Sequence, residues 1–306
     1  MPRSPLALAP LAALLLPALV AASGADPDPS GGDFCSRVGA KLSSISVEEC
    51  RSSGLEPTGG KSVEGVDLMV FESLPKLRRT GGEPDWLVDL LALGPVDPKR
   101  VLFVGGCHGD EFATTTLLFK WIAKLQGRYD NELHLRIVPL MNPDGMLRSR
   151  GTRPNANGVD LNRNMPTRRW DTEAMDAWHR RASSSPRRFP GRRPASEPET
   201  RWLLDEIDTF APEVIVSLHA PYNAVDFDGP PKPPGDLGPL RLRLLGTFPG
   251  SLGRYAGEER RIPVVTIELP SAGIMPPAAE QQALLDDLLR YLDEKVDAER
   301  RARNDE

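Results

Sequence analysis

Histidine and cysteine are scarce in this chain: four of the first and three of the second among 306 residues. Few histidines leave little choice for an imidazole site. His134 opens an apolar strand and His179 sits in an arginine-rich loop, so both are read as structural or surface residues, which leaves His108 and His219. Three cysteines allow one pair and a leftover. Strong charge of one sign is also missing: the formal net charge is −5, and a mildly acidic chain is a poor candidate for general nucleic-acid binding. Beyond residues 6–20 no apolar run is long enough to span a bilayer. Internal repeats are absent as well. What remains is 40% hydrophobic and 26% charged, ordinary for a soluble globular chain with one large core.

The first 25 residues have the form of a secretory leader. Arg3 supplies the positive start, LALAPLAALLLPALV (6–20) the apolar run, and Ser23-Gly24-Ala25 a small-residue cleavage site. The other reading, an uncleaved anchor, fits less well because Pro10 and Pro17 break a run that is already short. Cleavage would start the mature chain near Asp26, in the periplasm or outside the cell, with no stable membrane insertion. No cysteine follows the apolar run directly, which argues against a lipid anchor. In an oxidising compartment Cys35 and Cys50 are expected to form a local disulfide, the alternative being two reduced, half-buried thiols. Cys107 is the leftover, expected to point into the core. The chain thus divides into a leader (1–25), an N-terminal extension (26–65), a catalytic domain (66–298) and a charged tail (299–306).

Apolar runs predict strands at 66–73, 101–106, 133–141, 213–219 and 263–269. Residues 85–95 form a short amphipathic segment, and helical patterns fall at 111–127 and 199–210, the last with Ser196 as a candidate cap, and in a closing amphipathic segment. The leucines of that closing segment (Leu284, Leu285, Leu288, Leu289, Leu292) read as core packing rather than a partner-binding zipper. Residues 146–196 show little periodicity. The arginine-, serine- and proline-rich stretch within them reads as a solvated loop over the site or, alternatively, a basic patch for an anionic partner. Alternation of strands and helices predicts an α/β fold with a mixed, mostly parallel central sheet and helices on both faces. In such sheets ligands sit beyond the carboxyl ends of the strands, where His108, Asn142, His219 and Glu268 all fall.

The chemistry concentrates there. GGCHGDEFA places His108 and Glu111 three apart in a turn entering a helix, and SLHA adds His219. Two histidines and a glutamate suit one zinc ion with an open fourth position. Alone, HxxE is a common chance pattern, and HExxH is absent. TRPNANGVDLNRN (152–164) packs Arg153, Asn155, Asn157, Asn162 and Arg163 into a dozen residues. That density suits an anion-binding pocket or, equally, a polar turn network that satisfies backbone groups. Glu268, inside PVVTIELP, is costly to bury without a partner. It is either salt-bridged within its strand or part of a site.

HGDE, NPDG, RxNxNGVDLNRN, SLHA and TIEL, in this order, resemble the zinc carboxypeptidase family over roughly residues 100–290. The resemblance implies one Zn2+ per chain held by His108, Glu111 and His219. It implies Arg153 on the scissile carbonyl, Asn162 and Arg163 on the substrate's terminal carboxylate, and Glu268 as general base. A mobile tyrosine of pancreatic-type members has no counterpart in register: Tyr255 and Tyr222 are both displaced, and neither is assigned a role. The side-chain pocket is expected near Leu252. The segments around 217–230 and 246–270 are most similar to the bacterial murein tripeptide amidase branch, which implies a peptide or murein-peptide substrate cleaved at the γ-D-glutamyl–diaminopimelate bond. Ordinary peptides, and N-acyl amino acids in the manner of desuccinylases and aspartoacylases, are the alternatives. So is a non-enzymatic wall-binding scaffold, which the filled catalytic positions disfavour.

Overall fold

A computed structural model describes residues 33–74, 99–126, 133–230 and 232–304. The leader and the short amphipathic segment at 85–95 lie outside the described residues. No helix among those described is long and apolar enough to cross a membrane.

Eight strands form one sheet: β1 (Glu56–Lys61), β2 (Asp67–Ser73), β3 (Lys99–Val104), β4 (Leu133–Val138), β5 (Val214–His219), β6 (Ala224–Asp228), β7 (Arg241–Leu242) and β8 (Val264–Glu268). Their order is β1-β2-β4-β3-β5-β8-β6-β7. The centre, β4-β3-β5-β8, is parallel. β2 joins one side of it and β6 the other, both antiparallel. The expected mixed, mostly parallel sheet is therefore the one observed.

The central strands read as continuous apolar runs because both faces are buried. Val101 and Phe103 of β3 enter one core with Leu117 and Trp121 of α3 (Phe112–Gln126) and the leucine stripe of α7 (Ala278–Asn304). Leu102 and Val104 enter the opposite core with Leu203, Ile207 and Phe210 of α6 (Pro198–Phe210). Period-two alternation thus splits one strand between two helical layers. Each buried leucine of α7 contributes about 1.5–3 kcal/mol by removing its side chain from water.

The N-terminal segment forms α1 (Phe34–Lys41) and α2 (Val47–Ser52), joined by a disulfide between Cys35 and Cys50. Asp33 caps α1, and a Ser46/Glu49 capping box starts α2. Val38, Leu42 and Ile45 pack on Phe119 of α3 and on Met146 and Leu147 of α4 (Pro143–Leu147).

Several expectations are corrected. The division at residue 65 separates no independent body, since it falls between β1 and β2, which pair with each other. The tail does not begin at 299, since α7 continues to Asn304. The aperiodic 146–196 section holds a helix, α5 (Trp170–Arg181), which buries only Trp170 and Ala174. Two buried positions leave no apolar stripe to read. Ser196 does not cap α6: Glu197 occupies that position, while Ser196 Oγ donates to Glu197 Oε1. The Leu284–Leu292 stripe is core, as expected.

Candidate active site

Residues at or just past the carboxyl ends of β3, β5 and β8 line one cavity of about 400 Å³. His108, Glu111, His219, Arg153, Asn162, Arg163 and Glu268, the seven residues singled out from the sequence, all line it.

The turn after β3 carries the first two. It runs so close to α4 that a side chain at Gly109 would overlap the backbone of Gly145 and Met146. Thr114 Oγ1 donates to the Glu111 carbonyl and accepts from Gly106 N–H, tying the turn to the first turn of α3. His108 Nδ1 then lies 2.8 Å from Glu111 Oε1. His219, the last residue of β5, brings its Nδ1 to 3.1 Å from His108 Nδ1 and 3.3 Å from Glu111 Oε2. His219 and Glu268 are register partners on β5 and β8, so sheet pairing itself sets the Glu268 carboxyl beside the His219 ring.

The donor set fits a zinc ion. Ligand atoms about 2.0–2.1 Å from a tetrahedral Zn2+ stand roughly 3.3 Å apart, close to the separations found here. Two imidazole nitrogens facing each other at 3.1 Å beside a carboxylate, all buried, are stabilised by a shared cation. On its other side His108 Nε2 lies 3.2 Å from Asp160 Oδ1. With that proton given to Asp160, Nδ1 keeps its lone pair for the metal.

Asp160 is the residue the sequence reading passed over, although it stands inside the quoted NGVDLNRN. Fully buried, it also accepts from Arg153 Nε at 2.8 Å and Asn162 N–H at 3.1 Å. Burial opposes its ionisation, but Arg153 and His108 hold its carboxyl well below the usual range. Burial likewise opposes the charge on Glu111, and His108 and His219 outweigh it, so Glu111 stays ionised.

The polar loop splits into two functions. Asn155 and Asn157 donate to Glu197, and Asn155 also to Glu199, as a turn network. Asn162 and Arg163 face the cavity. Asn162 Oδ1 accepts from Leu252 N–H, which leaves its Nδ2 with no protein acceptor among the described residues. Arg163 stacks on Phe248 at 4.3 Å and donates from Nη1 to the Asn162 carbonyl, with no carboxylate in salt-bridge range among the described residues. Burial pulls its pKa down, and Arg153 and Arg188 add to that. A half-buried guanidinium with no carboxylate partner among the described residues, beside a free amide donor, is suited to a carboxylate.

Glu268 has no salt bridge among the described residues, which removes the buried ion-pair reading. Its Oε2 takes one long contact, 3.4 Å, from Tyr222 N–H. Burial raises its pKa, and His219 opposes the rise. Tyr222 lies at the cavity rim, whereas the Tyr255 hydroxyl accepts from Arg260. The arginine-rich loop is more than solvated cover, because Arg187 and Arg188 line the cavity and Arg187 pairs with Asp110. Cys107 is buried in the core, where desolvation pushes its thiol pKa up and keeps it protonated. His134 pairs with Glu72 and His179 with Ser184, both away from the cavity.

A zinc carboxypeptidase profile matches residues 57–226, more than half of the chain. The chain belongs to the zinc carboxypeptidase family and is a hydrolase. Among its relatives, murein peptide amidase A of Vibrio campbellii is 33% identical over 226 residues, spanning 71% of this chain and 80% of the relative. Murein peptide amidase A of Escherichia coli K12 is 35% identical over 130 residues, 41% of this chain and 50% of the relative. The solved structure of bovine thrombin-activatable fibrinolysis inhibitor in complex with tick carboxypeptidase inhibitor aligns with a TM-score of 0.55 at 17% identity. It covers 83% of this chain and 91% of that one, a likeness of fold.

Proposed function

We propose that this chain is an exported, zinc-dependent amidase. Its reaction releases a C-terminal residue bearing a free carboxylate, and its substrate bond is the γ-D-glutamyl–diaminopimelate link of murein peptides. The carrying observation is Arg163, half-buried beside Asn162 with no carboxylate partner among the described residues, in one cavity with His108, Glu111, His219 and Glu268. The names of the amidase relatives support the choice of murein. The Cys35–Cys50 disulfide supports export.

The protein's side chains divide the work. Asn162 Nδ2 and Arg163 hold the terminal carboxylate and set the register of the scissile bond. Arg153, fixed through Nε by Asp160, offers its remaining N–H groups to the carbonyl oxygen as negative charge builds. Glu268 takes a proton from the attacking water and returns it to the leaving amine. A raised pKa suits a carboxyl that must do both near neutral pH. Zn2+, when bound, supplies a Lewis acid that polarises the carbonyl and brings a water's pKa to around 7.

The test is incubation of the purified protein with L-Ala-γ-D-Glu-diaminopimelate, ordinary peptides and N-acyl amino acids, with and without chelator. Chelator-sensitive release of diaminopimelate is expected. Cleavage of ordinary peptides or N-acyl amino acids alone would move the substrate to that class. Chelator-insensitive cleavage would overturn the metal mechanism.

A further inference from the structure

The loop wall of the cavity carries more positive charge than the reaction just described uses. Residues 180–193 hold six arginines and no acid, in a chain whose net charge is −5. The stretch between α5 and α6 is not a loose cover, because three of its carbonyls are held by side chains or backbone outside it. Ser185 accepts from Trp178 Nε1 at 2.7 Å, Phe189 from Asp160 N–H at 2.8 Å and Pro190 from Asn164 Nδ2 at 2.8 Å. The Phe189 ring stands edge-on to Trp178, with centroids 5.1 Å apart. Inside this frame Pro186–Arg188 form a single 3-10 turn, closed by Arg188 N–H on the Ser185 carbonyl at 2.9 Å. The turn presents both Arg187 and Arg188 to the cavity.

The two arginines differ in what they meet. Arg187 pairs with Asp110, the neighbour of Glu111, which sets its guanidinium at the metal end of the cavity. Arg188 is exposed and has no side-chain hydrogen bond or ion pair among the described residues. It lines a small second recess with Arg163 and Phe248, and its charge is felt at Arg163. The turn therefore spans the wall from the metal ligands to the carboxylate anchor. Two arginines against Asp110 leave a surplus positive charge at this lip. Arg163 and Asn162 Nδ2 already supply donors for the terminal carboxylate, so the surplus is available to a second anion on the same substrate. The substrate proposed above carries one. A γ-glutamyl link uses the side-chain carboxyl of its glutamate, so the α-carboxylate stays free on the acyl side, a few bonds from the scissile carbonyl. An ordinary α-peptide has an uncharged backbone amide in its place.

We infer that Arg187 and Arg188 form a second carboxylate subsite, on the acyl side of the scissile bond, that selects a γ-linked glutamate by its free α-carboxylate. Arg188 supplies the uncompensated charge. Arg187, fixed by Asp110 through Nη1, offers the N–H groups that Asp110 leaves free. The inference rests on the proposed amidase reading, since taking Arg163 as the anchor of the released residue sets which way the acyl part runs.

The experiment compares L-Ala-γ-D-Glu-diaminopimelate with its D-isoglutamine counterpart, in which a neutral carboxamide replaces only that α-carboxylate. Wild type should favour the carboxylate by about 5- to 30-fold in kcat/KM, short of the full range of a charge-assisted hydrogen bond because the lip is open to water. The preference should shrink as salt is raised. Arg188→Gln should bring the ratio between the two substrates to within about threefold, with zinc content unchanged. Equal turnover of the two by wild type, or a preference that survives both Arg188→Gln and Arg187→Gln, overturns the subsite. A loss in Arg188→Gln that is the same for both substrates also overturns it, because Arg188 then serves the released residue. Calorimetry on the zinc-loaded wild type with L-Ala-D-Glu against L-Ala-D-isoglutamine needs no variant and no turnover, since both keep the γ-carboxylate and differ only in the α group. If no substrate is cleaved but L-Ala-D-Glu binds more tightly, the amidase reading fails and the subsite stands. If the isoglutamine dipeptide binds as well, the subsite fails whatever the turnover.

Discussion

The two walls of the cavity handle buried carboxylates in opposite ways. On the loop wall every acid has a partner: Asp160 holds Arg153 and His108, and Glu111 holds His108 and His219. On the strand wall Glu268, Asp226 and Asp228 have no cation among the described residues, and burial raises all three pKa values. The same side-chain type is thus neutralised by cations on one wall and left without a counter-charge among the described residues on the other. The difference lies in which cations the fold brings within reach.

The comparison breaks most visibly at Glu268. Glu268→Gln should lower kcat by about 10²- to 10⁴-fold while zinc content stays at one per chain. Steady-state kinetics beside metal analysis would show it, and loss of the metal would mean that Glu268 belongs to the scaffold instead. On the loop wall, Asp160→Asn should weaken zinc affinity by about 10- to 100-fold, the cost of disturbing a ligand's outer partner. Chelator competition reads that number, and an unchanged affinity would deny Asp160 its orienting role. Asn155→Ala strips a donor from the buried Glu197 and Glu199 and should cost about 1–3 kcal/mol in denaturant unfolding, a purely structural loss with KM little changed.

The smallest effect concerns pH. Asp228 has a folded pKa of about 7 against 3.8, so the folded state binds the extra proton. Stability from this group is fully present below about pH 4 and is lost as pH rises through 7. Asp228→Asn, which cannot ionise, should therefore be more stable than wild type at pH 8, by on the order of 1–2 kcal/mol after allowing for solvent screening. The gap should close towards pH 4. A gap that stays constant with pH would show that Asp228 is not strained by its charge.

Much of this was legible in the order of residues. β3, β5 and β8 announce themselves as apolar runs because both faces are buried, and His108, His219 and Glu268, at or past their ends, reach the cavity, whereas Asn142 past β4 is buried outside it, donating to the Cys107 and Arg153 carbonyls. β6 was missed, although Val225 and Phe227 alternate with Asp226 and Asp228, because five residues of that pattern are easily taken for a loop. α5 was missed for want of an apolar face. The polar loop stayed ambiguous because asparagines that satisfy a turn and asparagines that await a ligand look alike until their partners are known.

The sequence by itself determined the family and singled out the seven side chains that line the cavity, since these depend on side-chain chemistry at short spacings and at strand ends. Only the tertiary structure decided which carboxylates are neutralised. Asp160 meets His108 through loop packing across 52 residues of chain, and Arg153 across 7. Asp226 and Asp228 reach the cavity floor because β6 turns back antiparallel against β8. Partnership between charges is a matter of distance in space, and burial sets its strength.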